Sequence, residues 1–371
     1  MNESMDRAFM ERAVELGRQA RFWSSPNPAV GCVLAREGEV IGTGFTQPAG
    51  AAHAEVMALH SVADARDAVA YVTLEPCGHH GKTGPCTEAL IAAGVSRVVV
   101  ALEDPNPLVS GTGIAALRNA GVTVEVGLMA PEVERDLAGF LWRMRRGWGR
   151  ITLKVATSLD GRTATASGES QWITGLLARQ DVQRLRAESD VIVTGVGSVL
   201  ADDCRLTLRP DELPLPDEEK ARALDHAPHR MVLDSRGRTP DTAQILRGDP
   251  AMVVVAEGMV PALGSFAVRL PADEEGRIDL GAWVRYLGES AYNEILVEAG
   301  PTLSGALLAG GWVDRLVIYQ APKLLGQSAR PLAALDVDVL SAAPQFAIDD
   351  VTRLGVDLRI IASPDPEALR A

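Results

Sequence analysis

An α/β fold in two domains is what this sequence predicts, on three observations. Strand-like apolar segments alternate with helical ones from residue 29 to residue 127, and a second alternation starts at residue 151. Between them "FLWRMRRGWGR", residues 140–150, breaks the rhythm with clustered Arg, Trp and Gly. At 371 residues the chain is long for one domain and comfortable for two, each able to bury a core without disulfides. The expected domains are residues 1–147 and 148–371, each a sheet covered by helices, with sites at the carboxyl ends of strands.

Residues 1–20 space apolar positions as a helix does, without the basic start and apolar stretch of a secretory signal. "AVGCVLAREGEVIGTGF" reads as two short strands joined by a turn at "EGE", and "AEVMALHSVADA" as a helix. "AYVTLEPC", "SRVVVALED" and "VTVEVG" read as strands. "TEALIAAG" and "GIAALRNAG" read as helices stopped by glycine. Arg143, Arg145, Arg146 and Arg150 form too short a basic run to assign to nucleic acid and read as a linker or solvated helix end. The second alternation runs through "ITLKVATSLDGRT", "ARQDVQRLRAES", "DVIVTGV", "HRMVLDS", "AMVVVAEG", "NEILVEAGPTLSGALLAGG" and "DRLVIYQAPKLLG". The acidic, proline-bearing "RPDELPLPDEEKARALDHAPH" is expected to be a surface excursion, and "SPDPEALRA" a frayed tail.

Hydrophobic residues make up 47% and charged ones 23%, and no run of about 18 apolar residues could cross a bilayer. A net charge of −13 repels polyanions, so small substrates are expected rather than nucleic acid or membrane. Four cysteines in a chain this long make no disulfide framework. In the cytoplasm, the expected location, clustered ones read as ligands or nucleophiles.

Such a cluster exists. "AGAAHAEVMALH" and "YVTLEPCGHHGKTGPCTEAL" hold His53, Glu55, Cys77 and Cys86. Residues two apart inside a helix point in nearly opposite directions, so His53 and Glu55 must lie in a first turn to serve one site. Pro85 suits the start of another helix, which places Cys86 at a positive helix end, and Cys77 sits just past a strand. His53, Cys77 and Cys86 give three nitrogen and sulfur ligands, one short of a closed structural zinc site, leaving the fourth position to water. Glu55 is placed to collect and redeliver protons. H-x-E followed by P-C-x-x-C marks zinc nucleobase deaminases; here the second cysteine comes after eight residues instead of two. The inserted "GHHGKTGP" offers His79, His80 and Lys82 as donors for a substrate phosphate or sugar. Singly, each ligand reads as a core residue; jointly they read as a metal site. His60, Cys32 and Cys204 have no such company and are expected to be packing residues.

On "SSPNPAVGCVL", "HAEV", "TLEPCGHHGKTGPC" and "DPNPLVSGTG", the first half resembles the deaminase domain of the bifunctional riboflavin-biosynthesis deaminase/reductase family. The resemblance implies a cytidine-deaminase-like α/β/α sandwich, one zinc per chain, and hydrolytic removal of an amino group from a diaminopyrimidinone bearing a phosphoribosylamino arm. Asn27, His79 and Lys82 are then substrate contacts. Thr46 stands where relatives have histidine, and "AGAAHAEV" replaces a more usual "AGEPHAEV"; both bear on substrate affinity and not on the metal.

In the second half, "EAGPTLSGALL" by spacing alone is either a pyrophosphate cradle or a plain strand-to-helix turn. "KVATSLDGRTATASGESQWIT", "VLADDCRLTLR", "VLDSRGRTP" and "VEAGPTLSGALL" resemble the same family's reductase domain. That implies a dihydrofolate-reductase-like α/β fold, NADPH as cofactor, and reduction of the ribosyl arm to ribityl. Ala156, Trp172, Ser198, Asp202, Ser235, Gly300, Pro301, Thr302, Leu303, Ser304, Gly305 and Ala306 are implied near the cofactor. Ser170, Arg186, Leu206, Arg209 and Glu298 are implied at the substrate. Arg186 and Arg209 suit a bidentate grip on a phosphate, the alternative for each being an ion pair. Lys154 could donate a hydrogen bond or proton. Cys204 stands where proline is common in relatives. The expected partners are small phosphoribosylated pyrimidines, with a homo-oligomer as one state open to the chain.

Overall fold

A computed structural model describes residues 3–78, 84–106, 109–248, 250–259 and 266–365. The chain forms two compact units, residues 1–149 and 150–371. The division falls two residues past the expected 147, because Arg150 is already the first paired residue of the second sheet.

The first unit runs α1 (Glu3–Ala20), β1 (Gly31–Arg36), β2 (Glu39–Phe45), α2 (Ala54–His60), β3 (Val69–Leu74), α3 (Cys86–Ala92), β4 (Arg97–Leu102), α4 (Thr112–Asn119), β5 (Thr123–Val126), α5 (Ala130–Asp136) and α6 (Ala138–Arg146). Its sheet has the order β2-β1-β3-β4-β5, with β1 antiparallel to both neighbours and the other pairs parallel. Glu37 and Gly38 both take positive φ, 55° and 86°, the backbone that a two-residue hairpin demands. All six residues of β3 are buried, as a central strand covered on both faces requires. Helices approach the sheet closely where side chains are absent: a Cβ on Gly31 would lie 1.9 Å from Ala13 O of α1, and one on Gly44 2.2 Å from Ala54 O of α2. Arg97 grips buried Asp6 through both oxygens at 3.0 and 2.8 Å, and Tyr71 Oη donates to Asp6 Oδ1 at 2.5 Å. The Arg97 hydrogen bonds hold the Asp6 carboxyl below its usual range.

The basic run closes α6 and is consumed internally. Arg146 lies between the rings of Trp142 and Trp148, Arg143 donates to Pro26 O, Arg145 pairs with Glu134, and Arg150 with Glu294.

The second unit comprises β6 (Arg150–Thr157), β7 (Arg162–Ala164), α7 (Leu176–Ala187), β8 (Val191–Gly195), α8 (Val196–Asp202), α9 (Asp217–Asp225), β9 (His229–Leu233), β10 (Ala251–Ala256), β11 (Ala267–Leu270), α10 (Leu280–Glu289), β12 (Glu294–Val297), α11 (Pro301–Ala309), β13 (Arg315–Gln320), β14 (Arg330–Pro331), β15 (Phe346–Leu354) and β16 (Asp357–Pro364). Nine strands form one sheet, β11-β10-β9-β8-β12-β6-β13-β16-β15. From β11 to β13 every neighbour is parallel, so their carboxyl ends share one edge. The final hairpin is antiparallel.

Three expectations are corrected. The acidic excursion contains α9 and buries Leu213, Leu215 and Ala223, so its apolar residues anchor it to the unit. The tail starts later than expected, since Ser363 and Pro364 still belong to β16. His60 is exposed in the last turn of α2 and so is no core residue, whereas Cys32 is wholly buried. No described helix is long and apolar enough to cross a membrane.

Candidate functional site

In the first unit the metal-ligating residues come from two helix starts and one strand end. His53 is the N-cap of α2, and Glu55 is that helix's second residue, 3% exposed. Cys86 opens α3 after the N-cap Pro85, and Cys77 lies three residues beyond β3. This is the first-turn placement that the two-residue spacing of His53 and Glu55 demanded.

His53 Nδ1 stands 3.6 Å from Cys77 Sγ and 3.4 Å from Cys86 Sγ, and one ligand atom from each of the three lies within 4.8 Å of the others. A tetrahedral zinc with nitrogen at about 2.0 Å and sulfur at about 2.3 Å puts those atoms about 3.5 Å apart. The donor set therefore fits zinc, with a fourth position open. The Cys86 thiol, the His53 ring and the Cys86 N–H at 3.4 Å all hydrogen-bond Cys77, drawing its thiol down to about 4. The same pairing pushes Cys86 up, reinforced by burial. Burial also lifts Glu55 to about 7.

β1 runs antiparallel to β3, and Gly31 N donates to Thr73 Oγ1 at 3.1 Å. The turn that carries half-buried Asn27 thus lies at the same end of the sheet as Cys77. His79 and Lys82 lie outside the described residues. Thr46 is 3% exposed: its hydroxyl accepts from Val30 N at 3.1 Å and donates to Val30 O at 3.4 Å, while its carbonyl takes the indole N–H of Trp23. At this position the side chain clasps Val30, the residue just before β1, instead of reaching outward.

Sequence reasoning missed Glu75. This buried carboxylate accepts backbone N–H groups from Asp104 and Gly111 on Oε2, at 3.2 and 3.0 Å, and from Gly113 and Ile114 on Oε1, at 2.9 and 3.1 Å. It ties the residue after β3 to Asp104 and Gly111 and to the first turn of α4. The one available signal was an acid at the end of a largely apolar strand, where burial obliges it to find donors.

In the second unit a cavity of about 1520 Å³ opens along the carboxyl ends of β6, β12, β8 and β9. Its size exceeds that of an ordinary single-ligand pocket, leaving room for a dinucleotide and a second molecule. Lys154, Ala156, Ser170, Trp172, Arg186, Ser198, Asp202, Leu206, Arg209, Ser235, Glu298, Gly300, Pro301, Thr302, Leu303 and Ala306 all line it. Two expected cofactor contacts do not. Ser304 is wholly buried, with its hydroxyl on Ala299 O and its N–H on Gly300 O, and Gly305 presses on Ala334, whose oxygen would meet a Cβ at 2.0 Å. Once α11 begins at Pro301, its fourth and fifth residues have turned toward the protein.

Arg186 is also reassigned. Its guanidinium holds Glu298 through two bonds of 2.5 and 3.1 Å and donates to Thr207 O at 3.1 Å, so the expected phosphate grip gives way to a buried ion pair. Lys154 Nζ reaches the same carboxylate at 3.2 Å. Burial alone would raise Glu298; the charges of Arg186 and Lys154 outweigh it and hold the carboxyl at about 2. Arg209 keeps more freedom, 37% exposed in its side chain, pairing with Glu212 and lying 5.2 Å from the Trp172 ring centre, which Arg179 also faces at 4.7 Å. Cys204 lines the cavity, and burial lifts its thiol to about 11.

The lining suits a nicotinamide dinucleotide. No atom lies within 4 Å of a Cβ built on Gly197, and for Gly300 the nearest is Ser198 Oγ at 3.9 Å, so both glycines leave open space for a ligand. Gln183 Nε2 and Thr194 Oγ1, buried in the lining, have no hydrogen-bond partner among the described residues. The first N–H groups of α11 have no intrahelical acceptor and suit a pyrophosphate.

Comparison with known proteins follows the same division. Residues 3–102 match the cytidine and deoxycytidylate deaminase zinc-binding region, and residues 150–360 match the RibD C-terminal domain. The riboflavin biosynthesis protein RibD of Escherichia coli K12 is 47% identical over 362 residues, 95% of this chain and 98% of that protein. The structure of Acinetobacter baumannii RibD superposes with a TM-score of 0.88 at 42% identity, covering 98% of this chain and 99% of the other. A Thermotoga maritima diaminohydroxyphosphoribosylaminopyrimidine deaminase/5-amino-6-(5-phosphoribosylamino)uracil reductase gives 0.85 at 30% identity, again covering 98% and 99%.

Proposed function

The chain belongs to the RibD family of riboflavin-biosynthesis proteins, which join a deaminase and a reductase in one polypeptide, and we propose how its residues divide the two reactions. Residues 1–147, with the cytidine-deaminase-like fold, remove the 2-amino group of a diaminopyrimidinone carrying a phosphoribosylamino arm. Residues 148–371, with the dihydrofolate-reductase-like fold, then reduce the ribosyl arm to ribityl. The substrates are those named for the Thermotoga relative.

His53, Cys77 and Cys86 would hold one zinc per chain, which when bound would lower the pKa of a water to roughly 7 and make it a nucleophile at neutral pH. Glu55, sealed from solvent two residues beyond His53, would collect a proton from the attacking water and pass it to the departing amino group, which leaves as ammonia. Asn27, His79 and Lys82 hold the substrate. In the second unit NADPH, when bound, would supply the hydride. Thr302 and Leu303 cradle its phosphates with backbone N–H groups, and Ala156, Trp172, Ser198, Asp202 and Ser235 line its path. Lys154 protonates or hydrogen-bonds the reacting arm, Glu298 fixes Lys154, and Ser170, Leu206 and Arg209 contact substrate. Thiol ligands need a reducing compartment, which favours the cytoplasm.

The observation that carries this reading is the pair of nitrogen–sulfur distances, 3.4 and 3.6 Å, which match the ligand spacing that a tetrahedral zinc would require. Glu55→Gln is expected to abolish ammonia release while the variant still consumes NADPH with pre-deaminated pyrimidine. Purified protein should hold about one zinc per chain. Loss of both activities in the Glu55 variant would overturn the division of labour.

A further inference from the structure

Gln183 of α7 is wholly buried and yet lines the cavity of the second unit. Its Oε1 accepts Arg209 N at 2.9 Å. A main-chain N–H can only donate, so the amide oxygen faces Arg209, and the NH2 group, turned the other way, has no hydrogen-bond partner among the described residues. An apolar side chain would fill the same space without a stranded donor, so the bond to Arg209 N is what the glutamine supplies there.

The segment it holds has no regular structure of its own. Residues 203–209 form no helix or strand, and Leu206 within them takes φ 52°, a left-handed backbone that is uncommon outside glycine. Such a conformation persists only where the surroundings fix it. Leu206 and Leu208 are buried, and α7 fastens the main chain beside them: Arg186 donates to Thr207 O at 3.1 Å, and Gln183, three residues earlier in the helix, accepts from Arg209 N. Arg209 leaves this clamp with its guanidinium 5.2 Å from the Trp172 ring centre and its Nη1 on Glu212 at 2.8 Å. Arg186 also holds Glu298, which holds Lys154, so its loss would disturb the reacting end as well. The hydrogen bond of Gln183 goes to the segment alone.

We propose that Gln183 is a positioning residue for the reductase substrate: by holding Arg209 N it sets where the Arg209 guanidinium meets the phosphorylated arm, and so governs affinity for the pyrimidine without entering the hydride step. The inference rests on reading Arg209 as a substrate contact. A guanidinium fork draws its strength on a phosphate from paired, aligned N–H groups, and a main chain free to relax at Leu206 loses that alignment.

The test is steady-state NADPH consumption by the full-length protein with pre-deaminated pyrimidine. Gln183→Met keeps the length and drops the acceptor for Arg209 N; it should raise the KM for the pyrimidine about tenfold and leave kcat and the KM for NADPH within about twofold. Ammonia release should not change. Gln183→Glu restores an acceptor oxygen and should recover most of the KM. Added to Arg209→Ala, Gln183→Met should raise the KM by less than about twofold, because the residue it serves is gone. If Gln183→Met unfolds the second unit, Gln183→Asn, a methylene too short to reach Arg209 N, is read the same way. A KM like the wild type's, a fall in kcat alone, or a further rise of about tenfold on top of Arg209→Ala would refute the positioning role while Arg209 keeps its place at the substrate. If Arg209→Ala itself leaves the KM unchanged, the substrate reading of Arg209 falls and takes Gln183 with it.

Discussion

Glu298→Gln keeps the shape of the side chain and removes the one negative charge that Lys154 and Arg186 share. Both cations are largely enclosed, with side chains 14% and 8% exposed, and both would then face a neutral amide. Breaking a buried ion pair from one side costs about 3–5 kcal/mol. For a domain of this size each kcal/mol moves the melting point by about 2–4 °C, so the second unit should melt about 6–20 °C lower. The pH dependence follows. Glu298 lies at about 2 in the folded chain against 4.5 for a free glutamate, a depressed value. Its stabilisation is therefore complete above about pH 4.5 and is lost as pH falls toward 2, and the variant should lose that part of the acid sensitivity. The assay is calorimetric melting of Glu298→Gln, Arg186→Met and the double variant, beside NADPH consumption with pre-deaminated pyrimidine. If Arg186 serves Glu298, the double variant costs less than the sum of the singles by about 0.5–3 kcal/mol. Additive losses, with Arg186→Met raising only the KM for phosphorylated substrate, would refute the ion-pair reading and restore the phosphate grip.

Removing the metal with a chelator should stop ammonia release and lower the melting point of the first unit alone, with NADPH consumption on pre-deaminated pyrimidine unchanged. Gly44→Ala sets a methyl 2.2 Å from Ala54 O and 2.4 Å from Ala58 N; it should destabilise the first unit by about 1–3 kcal/mol and weaken zinc retention, because α2 carries His53 and Glu55. Thr46→Val removes a hydroxyl that supplements Val30, whose N–H also donates to Pro28 O and whose carbonyl also accepts Thr46 N, so a loss of about 0.5–1.5 kcal/mol is expected by denaturant titration, with Thr46→Ser near wild type.

The first unit's site was legible because its chemistry is written in residue type and spacing. A histidine and glutamate two apart can share a site only in a first helical turn, and the structure puts them there. The reductase contacts were legible through resemblance, and most of them line one cavity. What the sequence hid depends on direction. Ser304 and Gly305 sit in the same short motif as Thr302 but face inward once the helix turns. Arg186 offers the same guanidinium to a phosphate as to Glu298, and the partner 112 positions away in the chain decides. α9 was hidden by its composition: Leu213, Leu215 and Ala223 are too few among acids and prolines to register as a buried edge.

Glu75 holds four main-chain amides and no side chain of the loop it secures. Such an anchor reads main chain alone, yet the residues it fastens are not interchangeable: Gly111 takes φ 71°, and a Cβ on Gly113 would lie 2.0 Å from Pro76 O. The carboxylate is held to the same strictness. Aspartate is a carbon too short to span the same amides, and glutamine would turn an NH2 toward donors. Glu75, Gly111 and Gly113 thus stand or fall together, and a side chain added at either glycine should loosen the bend that the carboxylate ties.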